Sequence, residues 1–335
     1  MTTVLCTLYN SLYLDKGLVL YDSLCNCAKD FKLYVLCMDD KCYEVLTDLH
    51  QEYHIPVKLS DFEAGDDALL EAKSNRPIGE YCWTCSSSFI RYILRHYGED
   101  SCTYIDADMF FYNDPQVLID EMSGAGKSVM VVPHRFPEVN KEMAKTVGEY
   151  CVEFNTFLND TKSLEVLEFW RAKCLDCCSN LGDGVHWGDQ KYLEELVDRF
   201  NCVHVCRNKG AGVAPWNITG YHGESNRILF EGEVIMMVFY HFQGISYFNR
   251  KYVSIGVSKR KGLDIKLVKR IYNDYLEAIE RKKCFLKSDF GLDCVIYSHP
   301  SLKHRLAFWG STNIGKLLMV FYRKLVLKAI YLRVK

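Results

Sequence analysis

Cys102-Thr103-Tyr104-Ile105-Asp106-Ala107-Asp108-Met109-Phe110-Phe111 is the stretch that decides the architecture. A short run suited to a buried strand leads into two aspartates, and three large apolar residues follow. A carboxylate in such surroundings is costly to bury unless a cation or a proton neutralises it. The two aspartates flank one alanine, so in extended backbone their side chains point the same way and can meet one hydrated cation. In open α/β sheets ligands bind outside the carboxyl ends of strands, which is where Asp106 stands.

Working outward, Ser86 to Tyr97 reads as a helix, with Phe89, Ile90, Ile93 and Leu94 at core spacing. Before it, short β-rich runs (Thr3 to Leu8, Lys32 to Met38, Ile55 to Leu59) alternate with helical patterns (Leu18 to Ala28, Tyr43 to Tyr53). That rhythm predicts a mostly parallel sheet flanked by helices. After the aspartates, Asn113-Asp114-Pro115 is a turn signal and Ser128 to Pro133 a strand. Thr161 to Cys178 and Gly188 to Phe200 read as helices, and Arg227 to Phe242 as two extended segments broken at Glu231-Gly232. No internal repeat or low-complexity segment interrupts the pattern.

With 335 residues, 49% of them hydrophobic, the chain can bury a sizeable core. A formal charge of -2 gives no global field for nucleic acid, so any basic patch must be local. The first residues, Met1 to Cys6, read as a strand and lack the features of a secretory leader, and no apolar run approaches the roughly 20 residues of a membrane span. The 16 cysteines are scattered through helix-like and strand-like segments, which fits reduced thiols and a cytoplasmic location. Cys82 with Cys85, and Cys174 with Cys177, have CxxC spacing, but both pairs fall in helical patterns without turn glycines.

The organisation read from these patterns is a domain over 1–260, with a nucleotide-binding half at 1–110 and an acceptor and metal half at 111–260, followed by a helical, basic extension at 261–335. After Asp293 there is no acidic residue and eight Lys or Arg. A helix over Ile314 to Leu332 would line up Ile314, Leu318, Phe321, Leu325, Ala329 and Leu332 on one face, with Lys316 and Arg323 opposite. Such a helix could lie on anionic lipid as a peripheral anchor at the inner face of the cell membrane, or dock on the body.

Tyr104-Ile105-Asp106-Ala107-Asp108 resembles the metal-binding motif of family 8 glycosyltransferases, the group that includes glycogenin and lipopolysaccharide galactosyltransferases. Further matches follow in the same order. Asn10 and Tyr13, after Tyr9, resemble the uridine-contacting stretch, and Arg91 stands where the family has a basic residue near the donor. Phe154-Asn155-Thr156 resembles the strand whose asparagine faces the sugar. Gly188-Asp189-Gln190 resembles the family's Gly-Asp-Gln, and His241-Phe242-Gln243-Gly244 its HxxG. The resemblance spans roughly residues 3 to 250, and the ordered set is more specific than any member. The family's Lys-Pro-Trp after HxxG is replaced by Ile245-Ser246-Tyr247, and Tyr9 stands where a threonine is usual.

The resemblance implies a GT-A fold and a transferase moving a sugar from a UDP-sugar to a glycan or lipid-linked acceptor with retention, in surface polysaccharide or lipopolysaccharide assembly. Asp106, Asp108 and His241 would ligate Mn2+ or Mg2+, the imidazole favouring manganese. Tyr9, Asn10, Tyr13, Arg91, Ala107 and Gly244 would contact the donor. Asn155, Asp189 and Gln190 would bind and orient the sugar, and Trp216 and Asn217, in an Ala-Pro-Trp-Asn turn, are candidates for the acceptor. Other roles stay open: His241 as a satisfied core histidine, Asp189 as a helix N-cap, Asn10 as a turn residue, Tyr13 as core. Two other functions also fit the acidic pair: a catalytically silent sugar-nucleotide or glycan-binding module, and a haloacid-dehalogenase-type phosphatase. The latter family wants Thr or Val where Phe110 stands.

Overall fold

The computed structural model describes residues 2–179, 185–224, 226–249, 252–295 and 329–334. Its strands are β1 (Thr3–Tyr9), β2 (Phe31–Cys37), β3 (His54–Lys58), β4 (Ser101–Ile105), β5 (Met109–Phe111), β6 (Val129–Pro133), β7 (Tyr150–Leu158) and β8 (Val203–Val205). They continue as β9 (Tyr221–Glu224), β10 (Arg227–Phe230), β11 (Glu233–Met236), β12 (Phe239–His241), β13 (Ser246–Asn249), β14 (Tyr252–Ser258) and β15 (Ala329–Arg333). The helices are α1 (Leu14–Cys27), α2 (Asp40–Asp48), α3 (Leu59–Glu63), α4 (Asp67–Asn75), α5 (Ile78–Tyr92), α6 (Gln116–Gly124), α7 (Met143–Val147), α8 (Thr161–Asp176), α9 (Leu193–Arg199) and α10 (Ile265–Phe290).

Seven strands form the main sheet in the order β3-β2-β1-β4-β7-β6-β8. β1, β2, β3 and β4 are mutually parallel, whereas β7 runs antiparallel to both β4 and β6. Every residue of β4 is buried, as a central strand covered on both faces requires. Its register with β7 pairs Tyr104 with Asn155 and Ile105 with Phe154, so the chain leaves β4 at Asp106 beside the middle of β7. β5 then pairs antiparallel with β12, bringing His241 opposite Met109.

Helix starts are set by local chemistry. Asp39, Asp160 and Asp264 accept backbone N–H bonds from Cys42, Ser163 and Leu267, satisfying donors that the first turn leaves unpaired. α1 needs a glycine at 17: a Cβ there would come within 2.3 Å of the Tyr9 ring, which lies under the helix. α10 buries Leu267, Val268, Ile271, Tyr275, Ile279 and Leu286 at helical spacing and stops at Gly291, whose φ of 67° is the left-handed conformation of a helix C-cap.

Several expected elements shift. The helix read over Gly188 to Phe200 begins only at Leu193, because residues 187–190 form a bridge and turn with Gly188 at a φ of 56°. Asp189 therefore caps no helix. Most of the tail helix read over Ile314 to Leu332 lies outside the described residues, but Ala329 and Leu332 belong to β15, which pairs antiparallel with β14. Ile330 and Leu332 are buried against α10 there, so this last turn of the expected amphipathic helix is a strand instead. Among the described residues no helix is long and apolar enough to cross a membrane. All 16 cysteines are free thiols, and neither CxxC pair belongs to a group able to hold a metal among the described residues.

Candidate active site

The end of β4, the middle of β7 and the end of β12 converge on one point. His241 Nε2 lies 3.1 Å from Asp108 Oδ1 and 3.6 Å from Asp106 Oδ2. The histidine is buried, while the two aspartates keep partial exposure (31% for Asp106, 20% for Asp108), so the cluster faces the mouth of a site with the imidazole at its floor. Ala107 between them is buried and holds the turn. Both ring nitrogens of His241 face carboxylates, Nδ1 toward Glu153 and Nε2 toward Asp108.

Electrostatics sort the two carboxyls. Burial pushes Asp106 up to about 6; the His241 charge opposes this, and the neighbouring Asp108 and Glu153 carboxylates reinforce it. Asp108 is also desolvated, but the charge and hydrogen bond of His241, with help from Lys16, hold it below the ordinary carboxylate range. Burial alone would discharge His241; Asp108, Cys151 and Glu153 outweigh it and keep the imidazolium charged well above its usual range. The charge on His241 offsets part of the negative charge of the acidic pair. Two carboxylates and an imidazole are also the donor set a divalent ion such as manganese accepts.

β7 lines the second wall. Asn155 is fully buried, and both its amide oxygen and nitrogen lack a hydrogen-bond partner. Asp189 is buried too; its Oδ2 accepts from Ser86 Oγ at 2.5 Å, while its backbone carbonyl accepts from Trp170 Nε1 at 2.9 Å. Burial raises Asp189 to about 7, the Ser86 bond resisting and the Asp106 charge adding, which ties Asp189 electrostatically to the β4 pair. Gln190 points elsewhere: its Nε2 donates to the Val147 carbonyl at 2.7 Å, anchoring the turn to α7. Trp216, half-buried, sets its ring edge-on to His241 at 5.4 Å between centroids and donates Nε1–H to the His134 carbonyl.

Other expected contacts have side-chain groups already engaged elsewhere. The Tyr9 side chain is buried beneath α1, its hydroxyl 3.2 Å from His54 Nε2, because Gly17 leaves room for the ring there. Asn10 uses its Oδ1 to accept from Leu12 N, closing the turn into α1. Arg91 pairs with Glu168 on α8 at 2.7 Å, a partnership shared with Arg95, and not with the acidic pair. Asn217 is buried: it donates both amide protons to the His134 and Gly212 carbonyls and accepts from Ala214 N, so it braces the 211–217 loop. Tyr13 does face the cluster: burial raises its hydroxyl to about 12, and Asp108, Asp15 and Asp106 add to that rise. Gly244 turns the chain after β12 with a φ of 83°, which an L side chain rarely adopts.

Three charged residues escaped the sequence reading. Lys16, on α1, is nearly buried, 3.3 Å from Asp15 Oδ1 and 4.3 Å above the Tyr13 ring. Lys283, on α10, lies 3.4 Å from the Tyr247 ring centroid and donates to Glu280 Oε1 at 2.8 Å. Both cations act on the buried Asp15, so two lysines from distant parts of the chain gather beside the segment that follows HxxG. The third is Glu153, in the interior of β7. A single acid inside the apolar run Val152-Glu153-Phe154 was the available signal for it.

A sheet with this strand order, an acidic pair leaving its fourth strand and an antiparallel neighbour beside it defines a GT-A glycosyltransferase fold. The galactosyltransferase LgtC, solved with donor and acceptor sugar analogues, superposes with a TM-score of 0.51 over 83% of this chain and 96% of that one, at 13% identity. An active-site mutant of LgtC gives 0.53 over the same shares, at 10% identity. No family model matches the chain. In sequence it is 30% identical over 279 residues to the uncharacterized protein YfnD of Bacillus subtilis (strain 168), covering 82% of this chain and 88% of YfnD. YfnF of the same organism is 27% identical over 304 residues, 87% of this chain and 97% of YfnF. The chain belongs to the family of YfnD.

Proposed function

We propose that this protein is a metal-dependent glycosyltransferase that moves a sugar from a UDP-sugar to a glycan or lipid-linked acceptor, with retention, in surface polysaccharide or lipopolysaccharide assembly. One observation carries the reading: His241 Nε2 stands 3.1 Å from Asp108 although 133 residues separate them, a convergence of cation donors at a strand end within a GT-A fold. The likeness to LgtC supports the fold, and the ordered motifs support the donor.

The residues present fit a divalent ion, since the donor set is hard oxygen plus one imidazole and Asp106 is held near the pH where it readily gives up its proton. Asp106, Asp108 and His241 would hold it. When bound, the ion offsets the negative charge that grows on the diphosphate as the glycosidic bond breaks. Lys16, whose charge reaches Asp108, would add positive charge beside the pair. Asn155, with both amide groups unspent, suits a sugar hydroxyl, and burying it without such a partner costs about 1–3 kcal/mol. Asp189 offers a second hydrogen-bonding group beside it, and the Trp216 ring an apolar face for an acceptor sugar. The eight basic residues after Asp293 support contact with an anionic membrane surface.

The test is release of UDP from a panel of UDP-sugars, with Mn2+ and with chelator, by the protein and by Asp108→Ala. Turnover that needs Mn2+ and falls at least about 100-fold in the variant supports the proposal; turnover indifferent to both overturns it. The replaced Lys-Pro-Trp favours one second reading, a binding module without turnover. Calorimetry showing Mn2+-dependent UDP binding, with no sugar released even to water, would select it.

A further inference from the structure

Cys151 and Glu153 stand two residues apart on β7, where its register with β6 is irregular, and both reach His241. Glu153 is the unusual member. Its side chain has no exposure, and Oε2 lies 2.8 Å from His241 Nδ1, while Oε1 has no hydrogen-bond partner. The Cys151 thiol, a Glu153 oxygen and a His241 ring nitrogen all lie within 4.8 Å of one another. A buried acid with one oxygen unpaired is an expensive residue to keep in a strand core unless its other oxygen has a task.

That task follows from how imidazole binds cations. A carboxylate only accepts hydrogen bonds, so the Glu153 contact requires the proton on Nδ1. Once Nε2 is free of its own proton, its lone pair points at Asp108, 3.1 Å away, and Asp106, 3.6 Å away. We propose that Glu153 is the positioning residue of the cation site, fixing the tautomer and ring orientation of His241 and making Nε2 a better donor. The proposal rests on the reading of Asp106, Asp108 and His241 as that site. It differs from the bland alternative, a Glu–His pair that merely braces β7 against β12.

The experiment titrates the purified full chain with Mn2+ alone and reads free Mn2+ by its electron paramagnetic resonance signal, alongside melting temperature in chelator. Glu153→Gln keeps an acceptor but removes the charge, and about a tenfold weaker affinity is expected; Glu153→Leu removes both, and about 100-fold is expected. A bracing role would lower the melting temperature and leave the affinity alone. Both variants within about twofold of the parent, while Asp108→Ala loses Mn2+, would overturn the role of Glu153 and keep the site. Unchanged affinity in Asp108→Ala would overturn the site and the role together. If Glu153→Leu does not fold, Glu153→Gln decides alone.

Discussion

Proton competition at the acidic pair predicts how strongly Mn2+ binding depends on pH. Asp106 must be ionised to act as a ligand, and its carboxyl is held at about 6 by burial and by Asp108 and Glu153. At pH 7.5 it is almost wholly ionised, so it takes little from the affinity; at pH 5 about one molecule in ten is competent, a loss of about tenfold from this group alone. His241 adds to the effect. Its charge is stabilised well above the usual histidine range, chiefly by Asp108 against the opposing desolvation, so Nε2 must release a proton at every pH below that raised value. Binding should therefore release protons, more of them below pH 6 than at pH 7.5, and the affinity should fall as the pH falls, most steeply once Asp106 also takes up its proton. Calorimetry of Mn2+ binding in buffers of different ionisation enthalpy counts those protons. An affinity flat between pH 5 and 7.5, with no proton released, would refute the assignment of Asp106 and His241 as ligands.

Gly17→Ala should destabilise the protein. The gain of about 1 kcal/mol in helix propensity is outweighed by a Cβ 2.3 Å from the buried Tyr9 ring, an overpacking cost of about 1–3 kcal/mol or more, visible as a fall of several degrees in melting temperature; a rise would contradict the packing under α1. Asn217→Ala should lower stability by about 2–4 kcal/mol in urea unfolding, because the Gly212 carbonyl and the Ala214 N–H lose their partner and the His134 carbonyl keeps only Trp216; normal stability with lost acceptor binding would restore Asn217 as an acceptor contact.

The sheet was legible because β1, β2 and β4 are apolar runs between clear helical patterns, and a pair of aspartates at the end of such a run has few structural uses. What spacing could not convey was depth. Tyr9 and Asn217 carry polar groups and sit near motif residues, yet the chain turns both inward: one into the space left by Gly17, the other into a loop whose carbonyls it satisfies. Arg91 is a donor contact only through the family resemblance, and in the structure Glu168 on α8, remote in sequence, pairs with it. Glu153 hid inside a strand pattern, where a lone acid interrupts an apolar run without disturbing its period. The convergence of β4, β7 and β12 is long-range, and only the order of the motifs hinted at it.

Anomalous scattering from crystals soaked with Mn2+ and UDP tests the central claim most directly. A manganese peak is predicted in the gap bounded by Asp106, Asp108 and His241 Nε2, at about 2.0–2.3 Å from its ligands, with a nucleotide phosphate on its open side. A peak against Cys151 and Glu153 instead, or none at all with UDP bound, would contradict it.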